Sequence, residues 1–242
     1  MKVIKVKNYD EMSEKARDII VDKLKKIEKP VLGLATGSTP EGLYDRLIDL
    51  YKQGGTTFKD TTTFNLDEYV GLSKDNPQSY HYYMYHRFFK HIDIKDDHAH
   101  LPKGDAQNLK EECERYEQLI KDAGGVDLQL LGLGTNGHIA FNEPGTDFTS
   151  RTQVVDLTES TIEANSRFFE RKEDVPTQAV TMGIESILES DEIIMLVSGE
   201  SKADALSQVI NGDITENCPA TVLQKHKKVT VIADEAALQK VN

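Results

Sequence analysis

Four loops of this chain carry residue types that can move protons or hold an anion. The first runs Gly132-Leu133-Gly134-Thr135-Asn136-Gly137, followed at once by His138 and, five residues on, by Glu143. A histidine near a carboxylate can serve as an acid/base pair, because the carboxylate holds one imidazole tautomer and raises its basicity. The second, Asn65-Leu66-Asp67-Glu68-Tyr69, places two adjacent carboxylates at the end of a β-branched run. If Asp67 points into a cleft, partial desolvation favours its use as a base. If it does not, the pair is two solvated charges at a strand end. The third, Ala35-Thr36-Gly37-Ser38-Thr39-Pro40, is a glycine turn between an apolar run and a helix start. Its free backbone N–H groups, the helix dipole and two hydroxyls favour an anion. It is not a P-loop, because GxxxxGK[ST] is absent. The fourth, Ser198-Gly199-Glu200-Ser201-Lys202, repeats that arrangement. A lysine in a first helical turn opposes the dipole, and that is easier to understand if Lys202 faces a bound anion.

The 132–137 loop also matches GxGxxG, with Asp156 nineteen residues past the last glycine. A dinucleotide site needs that motif to open a helix. Here the chain reaches Pro144 and Gly145 with no helical stripe between, so the glycines more naturally let the backbone approach a different ligand. Three other features carry no chemistry on this reading. The aromatic segment 79–91 reads as an amphipathic helix with its rings in the core. His98 and His100 have no third metal ligand at recognisable spacing. Cys113 sits on a charged helix without an activator.

The elements that position these loops alternate strand and helix. Strands are expected at 1–6, 31–36, 61–66, 126–133, 152–157, 192–197 and 228–233. Helices are expected after an Asn8/Glu11 capping box, after a Thr39 cap with Pro40 as first helical residue, and over 79–92, 108–123, 201–210 and 235–241. Such alternation predicts a single α/β domain, doubly wound, with a mainly parallel sheet and helices on both faces. Ligands of such sheets bind outside the carboxyl ends of the strands, so the loops after Thr36, Leu66, Leu133 and Val197 are where a site is expected.

Composition narrows the partners. Lys and Arg number 29 against 41 Asp and Glu, a formal charge of −12. That balance disfavours nucleic acid and anionic membrane surfaces. No apolar run approaches the ~20 residues of a membrane helix, and the first residues lack a signal-peptide pattern. The two cysteines, Cys113 and Cys218, are too few for a disulfide scaffold and suit a reducing, cytoplasmic setting.

Taken together, LATGSTPEGLY (34–44), NLDEYVGL (65–72), GHIAFNEP (137–144), SRT (150–152), ANSRFF (164–169) and Ser198-Gly199 with Lys202 closely resemble the glucosamine-6-phosphate deaminase family, in order and over essentially the whole chain. The resemblance implies reversible conversion of glucosamine 6-phosphate and water to fructose 6-phosphate and ammonia, with no cofactor or metal. It makes His138 the base that opens the pyranose ring, with Asn136 and Glu143 orienting it, and Asp67 the group that moves a proton between C2 and C1. It puts the phosphate on Gly37, Ser38 and Thr39, with Arg167 and Lys202 as counter-charges, and makes a lid of about 156–180. A 6-phosphogluconolactonase-type hydrolase and a non-catalytic sugar-phosphate sensor are the competing readings. The lactonase leaves the 65–72 motif unexplained, and the sensor leaves the acid/base set without a use.

The chain departs from the family pattern twice. Many members have Asp where this chain has Asn136, so less stabilisation of an imidazolium is expected. Hexameric members answer to N-acetylglucosamine 6-phosphate through basic residues just after SRT. Here that stretch is Gln153-Val154-Val155, so no such activation is expected, and a monomer or small homo-oligomer is.

Overall fold

The structure, a computed structural model, describes residues 1–166 and 169–241. Its strands are β1 (Lys2–Val6), β2 (Val31–Leu34), β3 (Thr62–Asn65), β4 (Asp67–Tyr69), β5 (Ala99–His100), β6 (Leu128–Gly132), β7 (Gln153–Asp156), β8 (Gln178–Thr181), β9 (Ile193–Val197) and β10 (Val229–Asp234). Its helices are α1 (Tyr9–Lys26), α2 (Glu41–Lys52), α3 (Tyr80–Arg87), α4 (Leu109–Asp122), α5 (Glu159–Ser166), α6 (Ile184–Leu188), α7 (Ala203–Asn211) and α8 (Glu235–Leu238).

Among the described residues, seven strands form one parallel sheet in the order β1-β10-β9-β6-β2-β3-β5. Successive strand residues point to opposite faces, yet every residue of β2 and β9 is buried. Both faces of the sheet are therefore covered, as the doubly wound expectation requires. From β2 the chain winds outward through β3 to β5. It then returns to β6 and winds the other way through β9 to β10. The reversal falls between β2 and β6, where such sheets open a crevice. Gly33 lets the two strands carry a buried glutamine: a Cβ there would lie 2.0 Å from Gln129 Oε1.

The expected strand 61–66 is split. Leu66 N–H donates to Leu34 O in the large sheet (3.2 Å), while Leu66 O accepts from Met182 N–H (2.7 Å). The chain thus leaves β3 and enters a second sheet, β4-β8-β7, which is antiparallel. Asp67 does not end the strand of the large sheet, as expected, but begins the next one, opposite Thr181. The expected strand at 152–157 also belongs to this small sheet.

Several helix boundaries moved. Pro40 precedes α2 instead of opening it and has no side-chain cap. The Tyr9 hydroxyl accepts from Gly42 N–H at 2.8 Å and takes the place of the Thr39 cap. The expected helix 79–92 breaks at Phe88 (φ −136°) and continues as a 3-10 turn over Phe89–His91. The closing helix ends at Leu238. The Asn8 cap accepts from Glu11 N–H at 3.0 Å, but the Glu11 carboxylate returns to Lys7 N–H, one residue before the cap. Cys113 and Cys218 are buried and unpaired.

Candidate active site

A cleft of about 370 Å³ opens at the carboxyl ends of β2, β3, β6 and β9. Thr36, Gly37 and Thr39 line one side, Leu66 and Asp67 the next, Gly134, Asn136 and His138 a third, and Leu196 and Lys202 the last. These are the four loops singled out by residue type.

The loop after β6 folds tightly. Gly137 adopts φ +83° and donates to Gly134 O (3.0 Å), and Gly134 N–H donates to His138 O (2.9 Å). The His138 ring lies over Gly134, where a Cβ would come within 2.3 Å of it. The imidazole therefore needs glycine at 134. Asn142, fully buried, donates through Nδ2 to Ile139 O (3.0 Å) and Met182 O (2.9 Å) and ties the loop to the end of β8.

Within that loop, Asn136 stands between the other two groups. Its Oδ1 accepts from His138 N–H at 3.2 Å and lies 2.7 Å from His138 Nδ1, while its Nδ2 donates to Glu143 Oε2 at 2.7 Å. His138 Nδ1 is 3.4 Å from the same carboxylate oxygen. The Glu143 carboxyl is half-buried, which pulls its pKa up. Hydrogen bonds and charge from His138, with donors from Asn136 and Thr161, outweigh that and hold it below the ordinary value. Glu143 is thus ionised near neutrality and able to balance a protonated imidazole.

Asp67 is only 7% exposed and faces the cleft. Burial, and then the neighbouring Glu68 charge, push its pKa up to about 8. No described residue donates a hydrogen bond to its carboxylate. A desolvated, unpaired carboxylate is a strong base once ionised. Glu68, on the opposite face of β4, is also buried. It accepts 2.9 Å hydrogen bonds from the backbone N–H groups of Tyr69, Tyr80 and His81, so it anchors the start of α3. Burial lifts its pKa to about 7 despite those donors.

At the far end of the cleft, Gly37 turns with φ +92°. The loop is held from outside: the Tyr83 hydroxyl donates to Gly37 O and that of Tyr9 to Ser38 O, each at 2.8 Å. Gly37 and Thr39 line the cleft, whereas Ser38 is exposed at the tip and lies outside the lining. Lys202 closes a 3-10 turn ahead of α7 rather than sitting inside the helix. Burial lowers its pKa, and no carboxylate pairs with it among the described residues. An ammonium so placed, in the same cleft as Gly37 and Thr39, is suited to an anion. The Gly199 N–H is not available for that purpose. It donates to Asp234 (3.1 Å), which also accepts from Ser198 Oγ (2.5 Å) and caps α8 at Ala237 N–H (2.8 Å). Arg167, the other expected counter-charge, lies outside the described residues.

Three contributors were missed from sequence. Tyr80 lines the cleft, although its segment was read as core. Thr161 lines it too and donates to Glu143. Asp234 acts behind it. Isolated side chains of these types carry no sequence signal, because only the tertiary fold brings them to the loops.

The sequence profile of the glucosamine-6-phosphate isomerases/6-phosphogluconolactonases matches residues 7–232. The chain is 54% identical over 241 residues to glucosamine-6-phosphate deaminase of Halalkalibacterium halodurans, covering 100% of this chain and 98% of that one. It is 53% identical to that of Oceanobacillus iheyensis, over 100% and 97% of the two chains. A solved structure of a monomeric glucosamine-6-phosphate deaminase superposes with a TM-score of 0.97 at 50% identity, over 99% of this chain and 100% of that one. The 6-phosphogluconolactonase of Thermotoga maritima shares the fold, with a TM-score of 0.77 at 21% identity, over 97% and 99% of the chains. The four cleft loops and full-length identities above 50% converge, and the chain belongs to the glucosamine-6-phosphate isomerase/6-phosphogluconolactonase family, on its deaminase side.

Proposed function

We propose that this chain catalyses the isomerising deamination of glucosamine 6-phosphate, giving fructose 6-phosphate and ammonia with consumption of one water. The observation that carries the reading is the convergence, in one cleft, of the His138–Asn136–Glu143 relay and the buried carboxylate of Asp67, which has no hydrogen-bond donor among the described residues, with Lys202 at the far end.

The phosphate binds against Gly37, Thr39 and Lys202, with Ser38 and Arg167 completing its shell when the segment 156–180 closes as a lid. That remote binding positions the sugar carbons. His138 Nε2 takes the proton of the anomeric hydroxyl and returns it to the ring oxygen, which opens the pyranose. Glu143 balances the transient imidazolium. Asp67 then removes the C2 proton, made acidic by the new C1 aldehyde. An enolamine forms, with its double bond between C1 and C2. Return of the proton to C1 gives a C2 iminium; water adds to C2, and the carbinolamine expels ammonia to leave the ketone. His138 moves the anomeric proton and Asp67 the C2 proton; the water that adds to C2 supplies the proton O1 needs to become the C1 hydroxyl, and the carbinolamine hydroxyl proton leaves with the ammonia.

The acidic carbon is what sets this chemistry apart from lactone hydrolysis, and Asp67 with its motif is the feature assigned to it. Purified protein should release ammonia and fructose 6-phosphate from glucosamine 6-phosphate and leave 6-phosphogluconolactone at its background rate of hydrolysis. The opposite pattern would overturn the reading. We assign the protein to the cytoplasm as a monomer or small homo-oligomer, which light scattering on the purified chain tests.

A further inference from the structure

The two oxygens of Glu143 face different parts of the molecule. Oε2 belongs to the loop after β6, where it meets Asn136 Nδ2 at 2.7 Å and His138 Nδ1 at 3.4 Å. Oε1 accepts from Thr161 Oγ1 at 3.2 Å. Thr161 is the third residue of α5 and lines the cleft.

Its hydroxyl has no choice of direction. An ionised carboxylate only accepts, so the Thr161 proton must point at Glu143. The same oxygen lies 2.9 Å from Thr158 Oγ1 and accepts from it. The start of α5 holds this geometry, because Thr161 N–H donates to Thr158 Oγ1 (3.3 Å) and Ile162 N–H to Thr158 O (2.9 Å). A carboxylate fixed through one oxygen can still swing its other oxygen. One fixed through both, from two separate elements, has its plane set.

We propose that Thr161 is a positioning residue: its hydroxyl sets the plane of Glu143 and couples the seating of α5 on the cleft to the ring-opening relay. The inference rests on the deaminase reading. At 3.2 Å the bond is long for a hydroxyl on a carboxylate. Loss of the donor frees Glu143 to turn away from Asn136.

Two variants separate hydroxyl from shape. Thr161→Val keeps the volume and removes the donor; Thr161→Ser keeps the donor and removes a methyl. The expected result is a kcat for ammonia release lowered about tenfold or more in Thr161→Val, the weight of a hydrogen bond to a charged group, with KM nearly unchanged. Thr161→Ser restores most of it. The acyclic alditol of the amino-sugar phosphate, which has no ring to open, inhibits all three proteins equally. A Thr161→Val enzyme with wild-type kcat, or a Thr161→Ser enzyme as impaired as Thr161→Val, overturns the positioning role while leaving the deaminase reading intact. A wild-type protein that releases no ammonia overturns both.

Discussion

His138 Nδ1 lies 2.7 Å from Asn136 Oδ1, and that contact decides which imidazole nitrogen faces the cleft. The amide orientation is fixed twice over. Oδ1 accepts the backbone N–H of His138, and Nδ2 donates to Glu143. An acceptor opposite Nδ1 requires the proton to sit on Nδ1. Nε2 is left unprotonated, as a ring-opening base must be.

Asn136→Asp puts a second carboxylate where the amide donates to Glu143. The imidazolium then lies between two negative charges and is stabilised relative to the neutral ring. The ring-proton NMR titration of His138 should therefore move to higher pH in the variant, a readout that the ionisation of Asp67 near pH 8 does not mask as it would the acidic limb of the kcat/KM profile. A titration that stays in place counts against the relay as drawn.

Asp67→Asn should lower kcat by about 10²–10⁴, the usual weight of a general base. It should also make the protein more stable, by a margin that grows with pH. The folded carboxyl holds its proton up to about pH 8, against an ordinary value of 3.8. A carboxyl raised by folding binds its proton more tightly in the folded state, so its contribution is most favourable below pH 4 and declines as pH rises toward 8. The amide has no such loss. Thermal melts of both proteins at pH 5 and pH 8 test this, with the larger difference expected at pH 8.

Much of this site was legible beforehand because its parts lie in short contiguous loops at strand ends. Asn136, His138 and Glu143 span eight positions, and the glycines beside them announce a tight turn. What escaped depended on long-range geometry. The crossing from one sheet to the other at Leu66 is a matter of two backbone hydrogen bonds, and β8, at four residues, is too short to show an alternation. Gly199 looks like an anion donor in sequence, but in the fold its N–H is taken by Asp234, 35 residues away.

Asp234→Ala should raise KM several-fold with a much smaller effect on kcat. Its carboxylate holds Ser198 Oγ, Gly199 N–H and Ala237 N–H, so its loss loosens the turn that presents Lys202 and uncaps α8. The cost in stability is about 1–3 kcal/mol per buried donor left unpaired. Denaturant melts and a KM-against-kcat comparison check both parts.

N-acetylglucosamine 6-phosphate should leave the rate curve hyperbolic and unshifted. The residues after SRT form β7 and are Gln153, Val154 and Val155. The nearby Arg151 guanidinium is engaged with Glu117 and Glu189 at 2.7–2.8 Å, so it is not free for a phosphate. A sigmoidal curve relieved by that compound would contradict this.

The central claim is that a carboxylate at position 67 drives loss of the amine through a C2–C1 isomerisation. Product analysis with wild type and Asp67→Asn tests it most directly. The expected result is fructose 6-phosphate and ammonia in equal amounts from the wild type, and a rate lower by about 10²–10⁴ in the variant. Ammonia accompanied by an aldose phosphate, or near-normal turnover by Asp67→Asn, would contradict it.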